Sequence, residues 1–283
     1  MIIWIKAAAG AALSIAPALA LAEGEKNILS IGGSVTEIIY ALGEGDRVIA
    51  RDTTSSYPAE AAALPDVGYM RALSPEGVLA VAPGLIISED GAGPPESIDV
   101  LASADIPFIT VPDGYSAEGI AAKILAVGEA LDAEAAAVAL ASDVTLKLQN
   151  AQSTAAAVAD ENPKRVLFIL RTQGGRITAS GQNTAASGII EMAGGVNAIT
   201  AFEGYKPLSD EAVTAAAPDV ILMMDRSGDH SSDNEALFAM PAIATTPAAQ
   251  TQSVVRMNGL YLLGFGPRTA DAVLDLNAAL YDS

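Results

Sequence analysis

LSPEGVLAVAPGLII, Leu73 to Ile87, returns 135 residues later as LSDEAVTAAAPDVIL, Leu208 to Leu222, aligned without a gap. Leu, Ser, Glu, Val, Ala, Ala, Pro and Ile recur at matching positions. Self-similarity on this scale is the mark of a duplicated structural unit. Each copy reads as a helix followed by a strand. Ser74 and Ser209 are residues that accept hydrogen bonds from the first free N–H groups of a helix, and Pro75 suits the first helical position. Glu76 and Glu211 fall in the first turn, where the helix dipole favours anions. Pro83 and Pro218 then end the helices ahead of apolar strands predicted at Leu85 to Ser88 and Val220 to Met224.

Working outward, Gly68-Tyr69 upstream of the first copy is echoed by Gly204-Tyr205, one residue closer to the second. A weaker echo pairs Ile38-Ile39 and Gly43 with Ile189-Ile190 and Gly194. Further strands are predicted at Ile28 to Ile31, Val48 to Arg51, Phe108 to Val111, Val166 to Leu170 and Val254 to Met257. Ser34-Val-Thr-Glu37 has the spacing of a capping box and predicts a helix through Leu42. Between the halves, Asp132 to Val158 is Ala-rich and carries Val138, Ala141, Val144 and Leu148 at helical spacing, which predicts one helix about 38 Å long. The pattern as a whole predicts an α/β protein of two similar lobes with mainly parallel sheets, joined by one long backbone helix, with the ligand cleft between the lobes. The divisions expected are a signal peptide at 1–22, an N-terminal lobe at 23–131, the linking helix at 132–159 and a C-terminal lobe at 160–283.

The signal reading rests on Lys6, the apolar run from Ala7 to Leu21, and small residues at Ala20 and Ala22. That run is short for a bilayer and broken by Ser14 and Pro17. No cysteine is present, so neither a disulfide nor a lipid-bearing thiol is available, and a freely soluble periplasmic protein is expected. The formal charge of −19 argues against nucleic acid and anionic membrane surfaces as partners. An anionic ligand would have to be met by local positive groups.

IGGSVTEIIYALG, VGYMRALSPEGVLAVAPGLII, SGQNTAASGIIEMAGGVNAI and LSDEAVTAAAPDVILMM together resemble the helical-backbone class of periplasmic binding proteins, across essentially the whole mature chain. That class delivers vitamin B12, ferric siderophores or haem to ABC importers. The GYMR segment resembles the haem-binding branch, which implies that Tyr69 is an axial ligand of haem iron and that Arg71 and Arg226 face the haem. The same resemblance implies that Glu76 and Glu211 dock a dimeric ABC permease with its ATPase in the inner membrane, the carrier itself being a monomer. Haem b is then the transported ligand, and no catalytic cofactor is implied.

The residue types suit that chemistry. Ferric iron is a hard cation, phenolate is a hard anionic donor, and a nearby guanidinium favours the ionised phenol. Tyr205, the counterpart of Tyr69 in the second copy, could stack on the porphyrin or simply pack. His230, the single histidine, could supply a second metal ligand or sit on an exposed loop. Arg71 could alternatively pair with Asp66, and Met223 and Met224 read as core strand residues. Ferric siderophore and cobalamin are the alternative cargoes. A secreted hydrolase using His230 is the alternative of another class, but neither a Gly-x-Ser-x-Gly elbow nor a Walker A loop occurs.

Overall fold

The computed structural model describes residues 27–159, 162–225 and 234–282. Its strands are β1 (Ile28–Ile31), β2 (Val48–Arg51), β3 (Leu85–Glu89), β4 (Phe108–Val111), β5 (Arg165–Gln173), β6 (Arg176–Ser180), β7 (Val196–Asn197), β8 (Tyr205–Leu208), β9 (Val220–Asp225) and β10 (Val254–Asn258). The helices are α1 (Gly33–Ala41), α2 (Ala59–Ala62), α3 (Pro75–Ala80), α4 (Pro95–Ala102), α5 (Ala117–Ala130), α6 (Glu134–Ala159) and α7 (Ala185–Met192), then α8 (Asp210–Ala216), α9 (Asn234–Phe238), α10 (Pro241–Ala244), α11 (Pro247–Thr251), α12 (Gly259–Leu263) and α13 (Thr269–Tyr281).

The duplication is visible in the topology. The first sheet runs β2-β1-β3-β4, all parallel. In the second sheet the parallel neighbours β7-β5-β9-β10 repeat that order. Local details repeat as well. Ser74 and Ser209 each accept from the N–H three residues on, at 3.4 and 3.2 Å. Ala82 and Ala217, 135 residues apart, both take the left-handed conformation just before the proline that stops each helix. Gly43 and Gly194, the glycines of the weaker echo, likewise share a positive φ.

The sheets are mainly parallel, as expected; within the second, β6 runs antiparallel to both β5 and β8. Gly174-Gly175 makes the reversal: both have positive φ, as a two-residue hairpin turn needs. The capping box at Ser34 and Glu37 does not form. The N–H groups of Gly32 and Gly33 are instead taken by Asp52 Oδ1 at 2.9 Å and Thr54 Oγ1 at 3.1 Å, which frees Ser34 and Glu37 for other partners.

The long helix α6 spans 26 residues and buries Ala137, Ala141, Val144, Leu148, Ala151, Ala155 and Ala159. Val138 lies off this stripe and is 60% exposed, because Ala137 occupies the inward position one turn before Ala141. One continuous core runs from Ile28 and Ile87 through the inward faces of α5, α6 and α7 to Phe168 and Leu222. Small side chains allow α5 and α6 to come close: a Cβ on Gly128 would lie 2.1 Å from the Ala137 Cβ. A helix-interior Gly→Ala change normally gains about 1 kcal/mol of propensity. At Gly128 the clash reverses the sign, and Gly128→Ala is expected to lower stability by about 1–3 kcal/mol, seen as a lower urea midpoint at unchanged slope.

Candidate functional site

Strand ends at the carboxyl edge of a parallel sheet are where such folds place ligands. In the first sheet this edge carries the segment from Asp66 to Leu73. Backbone hydrogen bonds from Val67 to Arg51 O at 3.0 Å, Thr53 to Gly68 O at 3.0 Å and Gly93 to Met70 O at 2.9 Å pin it between β2 and the loop after β3. Asp66 is held by Arg51 at 2.7 Å, so it is not a partner of Arg71. Met70 and Leu73 enter the core while Tyr69 and Arg71 stay outside it. A turn is closed here by the Ala72 N–H on Tyr69 O at 2.8 Å, and both residues are exposed. Tyr69 is 46% exposed, and among the described residues its hydroxyl has no hydrogen-bond partner.

Across from this edge, Tyr205 begins β8, paired with Ser180 of β6. Its ring rests edge-on against Phe168, with centroids 6.2 Å apart, and its hydroxyl reaches the Ala186 N–H and Thr184 at the start of α7. Burial raises its pKa, while those donors and the charge of Arg71 work in the opposite direction. Arg71, from the first sheet, therefore acts on a phenol of the second. The packing reading of Tyr205 is thereby met through its ring on Phe168.

A third tyrosine, absent from the expectations, joins them. Tyr115 follows β4 and sets its ring edge-to-face on Phe265 at 5.3 Å. Its backbone crosses α7 at Gly188, where a Cβ would come within 2.9 Å of the Tyr115 carbonyl. Burial, and then the adjacent Asp113 carboxylate that accepts its hydroxyl, push the Tyr115 phenol up to about 12; Arg71 opposes them. A recess of about 410 Å³ lined by Tyr115, Gln152, Gly188, Glu191, Met192 and Gly194 flanks that phenol, but includes neither Tyr69 nor Arg71.

Beneath these residues lies a buried polar floor. Lys123 of α5 is fully buried, with Nζ donating to Asp113 at 2.8 Å, Ser34 at 3.0 Å and Glu89. Burial, more than any neighbour, raises the Glu89 pKa, and Lys123 opposes that rise. The sequence signal for this cluster is a single lysine on the inward stripe of an apolar helix. It reads as solvated until its neighbours are known.

Glu76 and Glu211 stand in solvent at the first turns of α3 and α8. Hydrogen bonds hold both carboxyls below the usual carboxylate range, led by the Ser74 hydroxyl for Glu76 and by the residue's own N–H for Glu211. Met223 is buried in β9 and Met224 is half-buried. Arg226 and His230 lie outside the described residues.

A repeated pair of sheets, a linking helix and exposed polar groups at the strand ends describe a two-lobed binding protein. The family model for periplasmic binding proteins matches residues 28–259. The chain belongs to that family. Among solved structures it is similar to the periplasmic heme-binding protein BhuT in complex with two hemes, with 40% identity, 92% of this chain and 99% of that one covered, and a TM-score of 0.86. An uncharacterized ABC transporter substrate-binding lipoprotein of Bacillus subtilis, YvrC, is 30% identical over 71% of this chain and 64% of its own length. The vitamin B12-binding protein of Yersinia pestis is 29% identical, over 78% of this chain and 77% of its own. Periplasmic binding proteins are a ligand-capturing family, not an enzymatic one.

Proposed function

We propose that this protein captures ferric haem in the periplasm and delivers it to an ABC importer of the inner membrane. In this reading Tyr69 is the axial ligand, Arg71 and Tyr205 border the porphyrin from opposite lobes, and Arg226 adds a second cation. Glu76 and Glu211, charged and fully solvated, serve as matched contacts for a permease dimer with its ATPase. Residues 1–22 act as the export signal, and 23–131, 132–159 and 160–283 as lobe, linking helix and lobe. The carrier works as a monomer, and His230 is assigned no more than an auxiliary metal contact.

The observation that carries the reading is Tyr69, a half-exposed phenol on the open edge of the first sheet with Arg71 beside it, in a chain that shares 40% identity with a heme-binding protein over nearly its whole length. Hard ferric iron prefers an anionic oxygen donor to the softer alternatives. Cobalamin is the second reading, favoured by the Yersinia pestis relative, whose identity is lower and whose match is shorter. Optical titration decides between them. Ferric haem is expected to bind with a Soret shift and the charge-transfer band of high-spin phenolate ligation, while cyanocobalamin and a ferric catecholate leave the protein unsaturated at micromolar concentration. Saturation by cobalamin with no response to haem would overturn the proposal.

A further inference from the structure

Beyond the shared apolar core, the lobes meet through a charged contact at the side chain of Arg268. Its Nε donates to Glu37 Oε2 at 3.1 Å and its Nη2 to Glu37 Oε1, a two-pronged contact between residues 231 positions apart. The guanidinium carbon lies 3.6 Å from the centroid of the Tyr57 ring and 5.1 Å from that of Tyr261. Glu37 and Tyr57 belong to the first sheet's half of the molecule. Arg268 and Tyr261 follow β10, the last strand of the second sheet. Tyr261 is itself fixed, its hydroxyl donating to Asp275 of α13 at 2.8 Å.

The surrounding backbone is equally close. A Cβ on Gly266 would fall 3.4 Å from Glu37 Oε2, and one on Gly33 would fall 2.4 Å from a Leu260 methyl. Lys123 Nζ, buried in the first half, also approaches the Gly264 carbonyl at 3.5 Å. Glu37 is 6% exposed. Taking such a carboxylate out of water costs about as much as a buried partner returns, so a pair like this contributes little net stability. What it does contribute is geometry, because a planar fork between two aromatic faces has one arrangement, whereas a lysine in its place would have many.

We infer that Arg268 is a positioning residue for cargo: seated in the Glu37–Tyr57 pocket of the opposite lobe, it fixes the separation of the lobes and so the gap between Tyr69 and Arg71 on one side and Tyr205 on the other. The shared core through α5, α6 and α7 joins the lobes by apolar packing, which has no fixed direction. Arg268 adds a forked, stacked contact that does, and so restricts how the lobes sit on that core. The role in cargo binding rests on the haem reading, whereas the fixing of the lobes does not.

The chain has no cysteine, so Ala102→Cys and Gln250→Cys, on exposed positions of the two halves, can each carry a spin label without background. In the cargo-free protein the interlabel distance is expected to give one narrow distribution. In Arg268→Gln it is expected to broaden and extend to longer distances, and in Arg268→Lys, which keeps the charge but not the fork, to be intermediate. An unchanged distribution in folded Arg268→Gln overturns the inference. If that variant does not fold, Tyr57→Ala, which removes one stacking face from an exposed position and strands no charge, takes its place under the same criterion. Haem is then added separately. Dissociation is expected to quicken by roughly tenfold in Arg268→Gln, as interface changes usually act through off-rates, with the phenolate band intact because Tyr69 is untouched. Broadened distances with unaltered haem dissociation would overturn the positioning role while leaving the lobe contact standing. Broadened distances with no haem binding even by the parent protein would instead overturn the cargo.

Discussion

Tyr69→Ala is expected to lose the charge-transfer band of the haem complex altogether and to weaken haem binding by at least about a hundredfold, more than the 10- to 100-fold typical of losing a group that only supports a metal ligand. The reason lies in what remains. A phenol ordinarily ionises near pH 10, so at neutral pH the iron must displace a proton to bind it, and a neighbouring cation makes that easier. Tyr69 is 46% exposed, open to iron, with no carboxylate on its oxygen among the described residues. Tyr115 has the opposite surroundings. Burial, and the hydrogen bond its hydroxyl donates to Asp113, hold its pKa at about 12, so it is a poor substitute ligand. Tyr115→Phe and Tyr205→Phe are therefore expected to keep the band, and a titration of the three variants side by side checks the assignment. Equal spectra for the parent and Tyr69→Ala would remove Tyr69 from the iron.

Replacing Glu76 and Glu211 together by alanine is expected to leave haem affinity within twofold and to abolish stimulation of the importer's ATPase in proteoliposomes. Both side chains stand clear of the tyrosines, at the first turns of α3 and α8. Hydrogen bonds from Ser74, and from the Glu211 N–H, hold the carboxyls ionised across the physiological range. Truncating one partner of a desolvated charge pair costs about 2–5 kcal/mol, or roughly thirtyfold or more in affinity for each site. Each serine retains its own contact with the backbone N–H three residues on, so the helices should survive the change. A fall in haem affinity, or undiminished ATPase stimulation, would count against the docking role.

Much of the fold was legible because it is written twice. Once Leu73 to Ile87 and Leu208 to Leu222 are aligned, each copy supports the other's helix cap, proline stop and strand, and all three appear in both. The β5–β6 hairpin was missed although Gly174-Gly175 is its signal, since the repeat directs attention to what the copies share and this hairpin is in only one. Tyr69 and Arg71 were singled out through the motif that contains them, and the structure adds that both are exposed beside a closed turn.

The chain's order of elements, its duplication, its long helix and the chemical character of its exposed phenol are fixed by local patterns: cap residues, prolines, apolar periodicity and a motif a few residues long. These act through neighbours in sequence, so they can be read there. Ser34 and Glu37 mark the limit. Their spacing fits a capping box, yet Asp52 and Thr54 cap the helix, and Ser34 and Glu37 turn to Lys123 and Arg268, 89 and 231 residues away. A buried charge is tolerable only where its partner arrives to meet it, and which partner arrives depends on how the sheets and helices pack. The polar floor, the place of Tyr115 and the Arg268 contact between the lobes were therefore decided by the tertiary structure alone.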